Sequence, residues 1–186
     1  MKTWIIFSVL LTLTACQSLP SANQTADETQ IRAMLSQAET AYKAKDYANA
    51  LPIFEQIAAQ GDKRGERYLA LMYLNGEGVA KDEARAFAEF SKSAAQGDMK
   101  SPRYLGLMYL NGQGVAKDEQ QAFTAFAQAA QRGDITGQYW LGYCYEYGIG
   151  TAKDLTQAIA WYQKSAQRGD HVSQPAIDAL KRLGVQ

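Results

Sequence analysis

Two cysteines, one histidine and three Gly-x-Gly turns are the residues whose types and spacing could do chemistry in this chain. A thiol can act as nucleophile, metal ligand, disulfide partner or lipid acceptor. Cys16 and Cys144 stand far apart, and the histidine, His171, follows a Gly169-Asp170 turn with no cysteine near it. A structural zinc site needs four clustered Cys or His ligands, so His171 reads as a solvated turn residue. Gly76-Glu77-Gly78 and its copies resemble the opening of a phosphate-binding loop. The next required glycine is Lys81, no strand precedes the turn, and Lys81-Asp82 is not the Lys-Ser/Thr pair that grips phosphate and metal. These glycines read as interhelix turns. No strained-elbow nucleophile motif is present, and no two carboxylates are marked as a converging acid–base pair. Arg132-Gly133-Asp134 and Arg168-Gly169-Asp170 spell an adhesion tripeptide, but the sister turns carry Gln60 and Gln96 instead of arginine. The expectation is a non-enzyme with no catalytic residue, no metal and no cofactor.

Cys16 belongs to a different chemistry. Lys2 precedes a ten-residue apolar run, Trp4 to Leu13, about half the ~20 residues needed to span a bilayer. Leu13-Thr14-Ala15-Cys16 follows and resembles a bacterial lipobox. The resemblance implies that residues 1–15 are a lipoprotein signal peptide, that the Cys16 thiol is lipidated, and that cleavage and acylation occur at its amino group. Several acyl chains anchor stably, since each buried CH₂ contributes ~0.8 kcal/mol and one chain is marginal. The membrane is then met through the lipid anchor only. The aspartate that resembles an inner-membrane retention signal is absent after the anchor, where Gln17 stands. The expected location is the bacterial envelope, at the outer membrane facing the periplasm. Residues 16–28 read as lipidated Cys and a flexible polar tether. Cys144 is left without an intrachain partner, and a free cysteine is usually buried.

The 186 residues carry 19 basic and 19 acidic side chains, and 47% are apolar. This is the composition of a folded chain without the basic footprint of a nucleic-acid binder.

The elements that position these residues come as repeats. Residues 69–82 (LALMYLNGEGVAKD), 105–118 (LGLMYLNGQGVAKD) and 141–154 (LGYCYEYGIGTAKD) are offset by 36 residues. That period marks an array in which each unit buries its apolar face against the next. Four units fit without a gap, at 29–64, 65–100, 101–136 and 137–172, with a coda at 173–186. Each reads as two helices. Leu69, Met72 and Tyr73 form the stripe of a first helix, and Gly76 stands at its αL stop. Asp82, Asp118 and Asp154 are N-caps of a second helix, with Gln121 and Gln157 placed for capping boxes. Pro52 predicts a kink or late start in the first unit's second helix. In the coda, Ser173 and Pro175 start an amphipathic helix whose Ile177, Leu180 and Leu183 should cover the last unit.

Residues 105–126 (LGLMYLNGQGVAKDEQQAFTAF) resemble the Sel1-like repeat, the SLR branch of the tetratricopeptide-like solenoids. Residues 69–90 and 141–162 depart from it at a few positions, Ala70, Cys144 and Thr151 among them. The first unit (AYKAKDYANAL, residues 41–51) lacks the Gly-x-Gly turn and is closer to a tetratricopeptide unit, as a terminal cap can be. The resemblance implies an all-α, right-handed superhelical solenoid of helix–turn–helix units and a role in protein–protein binding.

In solenoids of this type the first helices line the concave face. On a helical wheel the positions that vary between units lie opposite the core stripe. They read Arg67, Leu71, Leu74 and Asn75, then Arg103, Leu107, Leu110 and Asn111, then Tyr139, Tyr143, Glu146 and Tyr147. Apolar groups mixed with Arg and Tyr are interface composition, and these twelve residues are the expected partner-binding set. The expected function is an envelope adaptor that binds another protein. An immunity protein neutralising a secreted antibacterial effector enzyme is the alternative. A hydrolase is a third reading, because cysteine-rich SLR proteins resemble β-lactamases in activity. Those carry paired cysteines in each unit, which Cys144 alone does not match.

Overall fold

A computed structural model describes residues 22–185, with side chains from residue 28. Residues 1–15, read as a signal peptide, and Cys16, read as the lipidation site, lie outside the described residues. Helices follow one another as α1 (Ala22–Lys43), α2 (Tyr47–Ala59), α3 (Lys63–Asn75), α4 (Glu83–Ala95), α5 (Ser101–Asn111), α6 (Glu119–Gln131), α7 (Ile135–Tyr147), α8 (Leu155–Ala166) and α9 (Gln174–Arg182). No strand occurs among the described residues. Each helix packs on the next in chain order, and α5 also touches α7. The array is the all-α solenoid expected.

Caps set the period. Asp46, Asp82, Asp118 and Asp154 accept from the amide three residues on and start α2, α4, α6 and α8. Asp62 and Asp134 do the same work for α3 and α7. At α5 the Asp98 carboxylate takes the Lys100 and Ser101 amides at 2.9 and 2.7 Å. The capping boxes are not formed. The N-cap amides of Asp82, Asp118 and Asp154 donate to the carbonyls of Tyr73, Tyr109 and Tyr145 in the preceding helix. With that donor already satisfied, the side chain three residues on is free to vary, and Arg85 costs nothing there.

Aromatic rings carry the stacking between units. Phe54 lies on Tyr68, Phe90 on Tyr104 and Phe126 on Trp140, with centroids 4.4, 4.7 and 5.5 Å apart. Each pair joins the second helix of one unit to the first helix of the next, worth ~0.5–1.5 kcal/mol beyond area burial. Glycines permit the approach. A Cβ on Gly106 would meet the Phe126 ring at 2.5 Å. A Cβ on Gly114 or Gly150 would meet the carbonyl oxygen of Glu83 or Glu119, one unit back, at 2.2 or 2.0 Å.

Three local expectations are corrected. Residues 22–28, read as tether, are the first turns of α1. Pro52 neither delays nor ends α2, which starts at Tyr47 and runs through it. In the coda, Ala176, Ala179, Leu180 and Leu183 cover the last unit, while Ile177 turns outward into a groove.

Candidate functional site

The variable residues of α3, α5 and α7 divide by what they touch. Arg67 is 9% exposed, and its Nε donates to Asp98 of the next turn at 3.2 Å. Its guanidinium also lies over the Tyr68 ring, 4.7 Å from the centroid. One unit on, Arg103 repeats this with Asp134 at 2.7 Å and with the Tyr104 ring at 4.3 Å. Since Asp98 and Asp134 also cap the next helices, each arginine clamps two units together. Glu146 is 8% exposed and accepts from Tyr162 Oη at 2.7 Å and from both terminal nitrogens of Arg182, at 2.5 and 2.9 Å. Those hydrogen bonds, led by Arg182, hold its carboxyl below the usual carboxylate range against the opposing effect of burial. Arg67, Arg103 and Glu146 are therefore removed from the expected contact set. They are scaffold groups whose charges are already compensated.

The remaining residues keep exposed surface. Leu71 and Leu74 are half-buried against the N-terminal core, and Leu107 and Leu110 against the next. Asn75 and Asn111 are exposed at the helix ends, donating to Glu77 and Gln113 at 3.3 Å. On α7, Tyr139, Tyr143 and Tyr147 form a ladder with centroids 6.3 and 4.5 Å apart. Tyr139 also leans on Tyr162 and Trp140 and belongs partly to the core. Tyr147 is 43% exposed, one of three large apolar or aromatic side chains so exposed among the described residues. Arg182 reaches over it at 6.0 Å. The variable positions of α3, α5 and α7 thus offer half-buried leucines followed by two tyrosines held by their neighbours.

Sequence reasoning missed two polar clusters. Tyr42 and Tyr47 both donate to Glu77, at 2.5 and 3.0 Å, and this joins the first unit to the turn of the second. The Glu146–Arg182 pair locks α9 to α7. Its signal is present in the sequence, since Arg182 falls one period after Glu146. Arg132, of the adhesion-like tripeptide, donates to the carbonyls of Ala94 and Asp98 at 3.0 and 2.9 Å, a capping role. Cys144 is fully buried, and burial pushes its thiol up to about 12. Among the described residues no cluster of three or more His, Cys, Asp or Glu could hold a metal. No described helix is long and apolar enough to cross a membrane.

Comparison with known proteins agrees with this geometry. The family model described as Sel1 repeat matches residues 64–98, 103–134 and 135–170. A solved structure of c5321, described as a protective antigen of uropathogenic Escherichia coli with an SLR fold, is 32% identical with a TM-score of 0.73. The match covers 88% of this chain and 36% of that one. A Sel1 repeat protein from Oxalobacter formigenes is 32% identical with a TM-score of 0.70, over 82% of this chain and 63% of the other. The chain thus spans about a third and under two thirds of these two structures. Helicobacter pylori cysteine rich protein B shares the fold at 24% identity and a TM-score of 0.51, over 75% of this chain and 93% of that one. Comparison with curated protein sequences finds no match.

Proposed function

The chain belongs to the Sel1 repeat family, and from that premise we propose that it is a lipid-anchored adaptor of the bacterial envelope that binds a partner protein on its inner face. Repeats of this family are protein–protein interaction modules. The observation that carries the reading is the split within one row of positions. Arg67, Arg103 and Glu146 are engaged in the scaffold, while Leu71, Leu107 and Tyr143 stay half-buried with part of their surface open and Tyr147 is exposed. Rigid aromatic side chains supply contact area at small entropic cost, and few such residues carry most of an interface's affinity. The periplasmic location rests on Lys2, the short apolar run and Leu13-Thr14-Ala15-Cys16.

The test is a pull-down from envelope extract and from competitor secretions, with residues 17–186 as bait. An adaptor retains a resident envelope protein, and Leu107→Lys releases it. Retention of a single secreted enzyme, with protection of cells from it, would give the immunity role instead. Recovery of nothing from either source would sink the inner-face reading.

A further inference from the structure

A proline resets one joint of the array. The amides of Glu66 and Gln138 close the first helical bonds of α3 and α7, onto the carbonyls of Asp62 and Asp134 at 3.2 and 2.9 Å. Pro102 stands at the same position of α5 and has no N–H to donate. The first bond there runs from the Arg103 amide to the Lys100 carbonyl, at 3.1 Å. Helix α5 therefore begins at Ser101, whereas α3 and α7 begin directly after their aspartates. The Asp98 carbonyl that Pro102 leaves without an amide accepts from Arg132 instead, at 2.9 Å. Met99 and Lys100, at the places of a first turn, stay outside the helix and are exposed, Met99 by 41%.

These two residues form one wall of a groove of about 420 Å³ that crosses three successive unit-joining turns. Met99 lines it at the first turn, Ile135 at the second and Val172 at the third. Cations stand on the outer two turns, Lys100 on the first and Arg168 on the third. The aspartates beside them are occupied. Asp134 accepts from Arg103 and from the Gly137 amide. Asp170 pairs with one terminal nitrogen of Arg168 at 2.7 Å, and that arginine side chain remains 63% exposed. Lys100 makes no ion pair among the described residues. An apolar strip between two cations complements a segment that carries an apolar side chain between two carboxylates. In an extended chain residues i, i+2 and i+4 point the same way, so such a segment presents all three together.

We propose that this groove is a second docking site, separate from Tyr143 and Tyr147, for an extended segment of a partner protein with the pattern acidic–x–apolar–x–acidic. The apolar side chain rests on Met99, Ile135 and Val172, and the two carboxylates pair with Lys100 and Arg168. Met99 is unbranched and polarizable and adapts to the side chain it meets. Charge complementarity sets the selectivity.

The probe is a fluorescein-labelled peptide, Ser-Asp-Ser-Leu-Ser-Asp-Ser, titrated with residues 17–186 and read by anisotropy. Saturable binding is expected. Met99→Asp and Lys100→Glu should each weaken it at least about fivefold, because each sets like charges together. Both residues are exposed, so circular dichroism should be unchanged for both variants. One of the two peptides with lysine in place of a single aspartate should bind Lys100→Glu more tightly than the parent peptide does. Tyr143→Ala/Tyr147→Ala should leave the affinity unchanged. Absence of saturable binding, or binding insensitive to both groove substitutions, overturns the proposal. So does equal binding of a peptide with asparagine for both aspartates, or with serine for leucine, since the pattern would then not be read. Binding lost with the tyrosine pair instead would place the peptide on α7 and overturn it as well.

Discussion

At Gly114 the backbone of one unit rests on the Glu83 carbonyl of the unit before, and its φ is 67°. An alanine there adds a steric clash to left-handed strain, so Gly114→Ala should cost about 3 kcal/mol in urea unfolding. Arg103→Ala leaves the buried Asp134 carboxylate unpaired and should cost about 3 kcal/mol by the same measurement. Its neighbour Asn111, exposed at the end of the same helix, should be nearly silent when changed to alanine. Cys144 is buried and its thiol is held protonated by that burial, so Ellman's reagent should leave it unmodified in the folded chain from residue 17 and label it fully in urea. The spacing alone identified Gly114 and the core stripe. It did not separate Arg67 and Arg103 from Leu71 and Leu107, because all four sit on the same side of their helices. What distinguishes them is length. An arginine reaches the Gly-Asp turn of the next unit, whose position depends on packing and not on the helical wheel.

Among the elements, α9 is tied to α7 by the Arg182–Glu146 ion pair as well as by its apolar packing. Arg182 holds the Glu146 carboxyl below its ordinary range, so this contact stabilises the folded state fully above the ordinary carboxylate pKa and is lost as pH falls through the depressed value. The stability difference between the wild type and Glu146→Gln should therefore be largest near about pH 6 and shrink below about pH 4, read by urea unfolding at each pH. A constant difference would mean that Glu146 acts by packing alone. The element boundaries were legible wherever aspartate and glycine stood at their capping positions. They failed at the N-terminal end, where α1 extends back over polar residues that carry no apolar period. They failed also at Pro52, which the helix accommodates within its run. The capping boxes were misread because the amide they would satisfy is taken by a carbonyl of the previous helix, a tertiary contact that no local motif reports.

For the whole molecule, repetition and variation fall on different residues. The stacked pairs Phe54–Tyr68, Phe90–Tyr104 and Phe126–Trp140 propagate one geometry along the array and leave its inner side to vary. That variation is greatest on α7, where Tyr143 takes the place of Leu71 and Leu107, and Tyr147 that of Asn75 and Asn111. The architecture was readable from the 36-residue offset because a repeated interface writes itself repeatedly into the sequence. The inner surface was readable only as a set of candidates, since a binding residue has no internal copy to be compared with. The most direct test is the affinity of the captured partner for Tyr143→Ala/Tyr147→Ala, measured by biolayer interferometry with circular dichroism as the fold control. Loss of at least tenfold, the scale of an interface hot spot, is the predicted result. An unchanged affinity in a folded variant would contradict binding on the inner face.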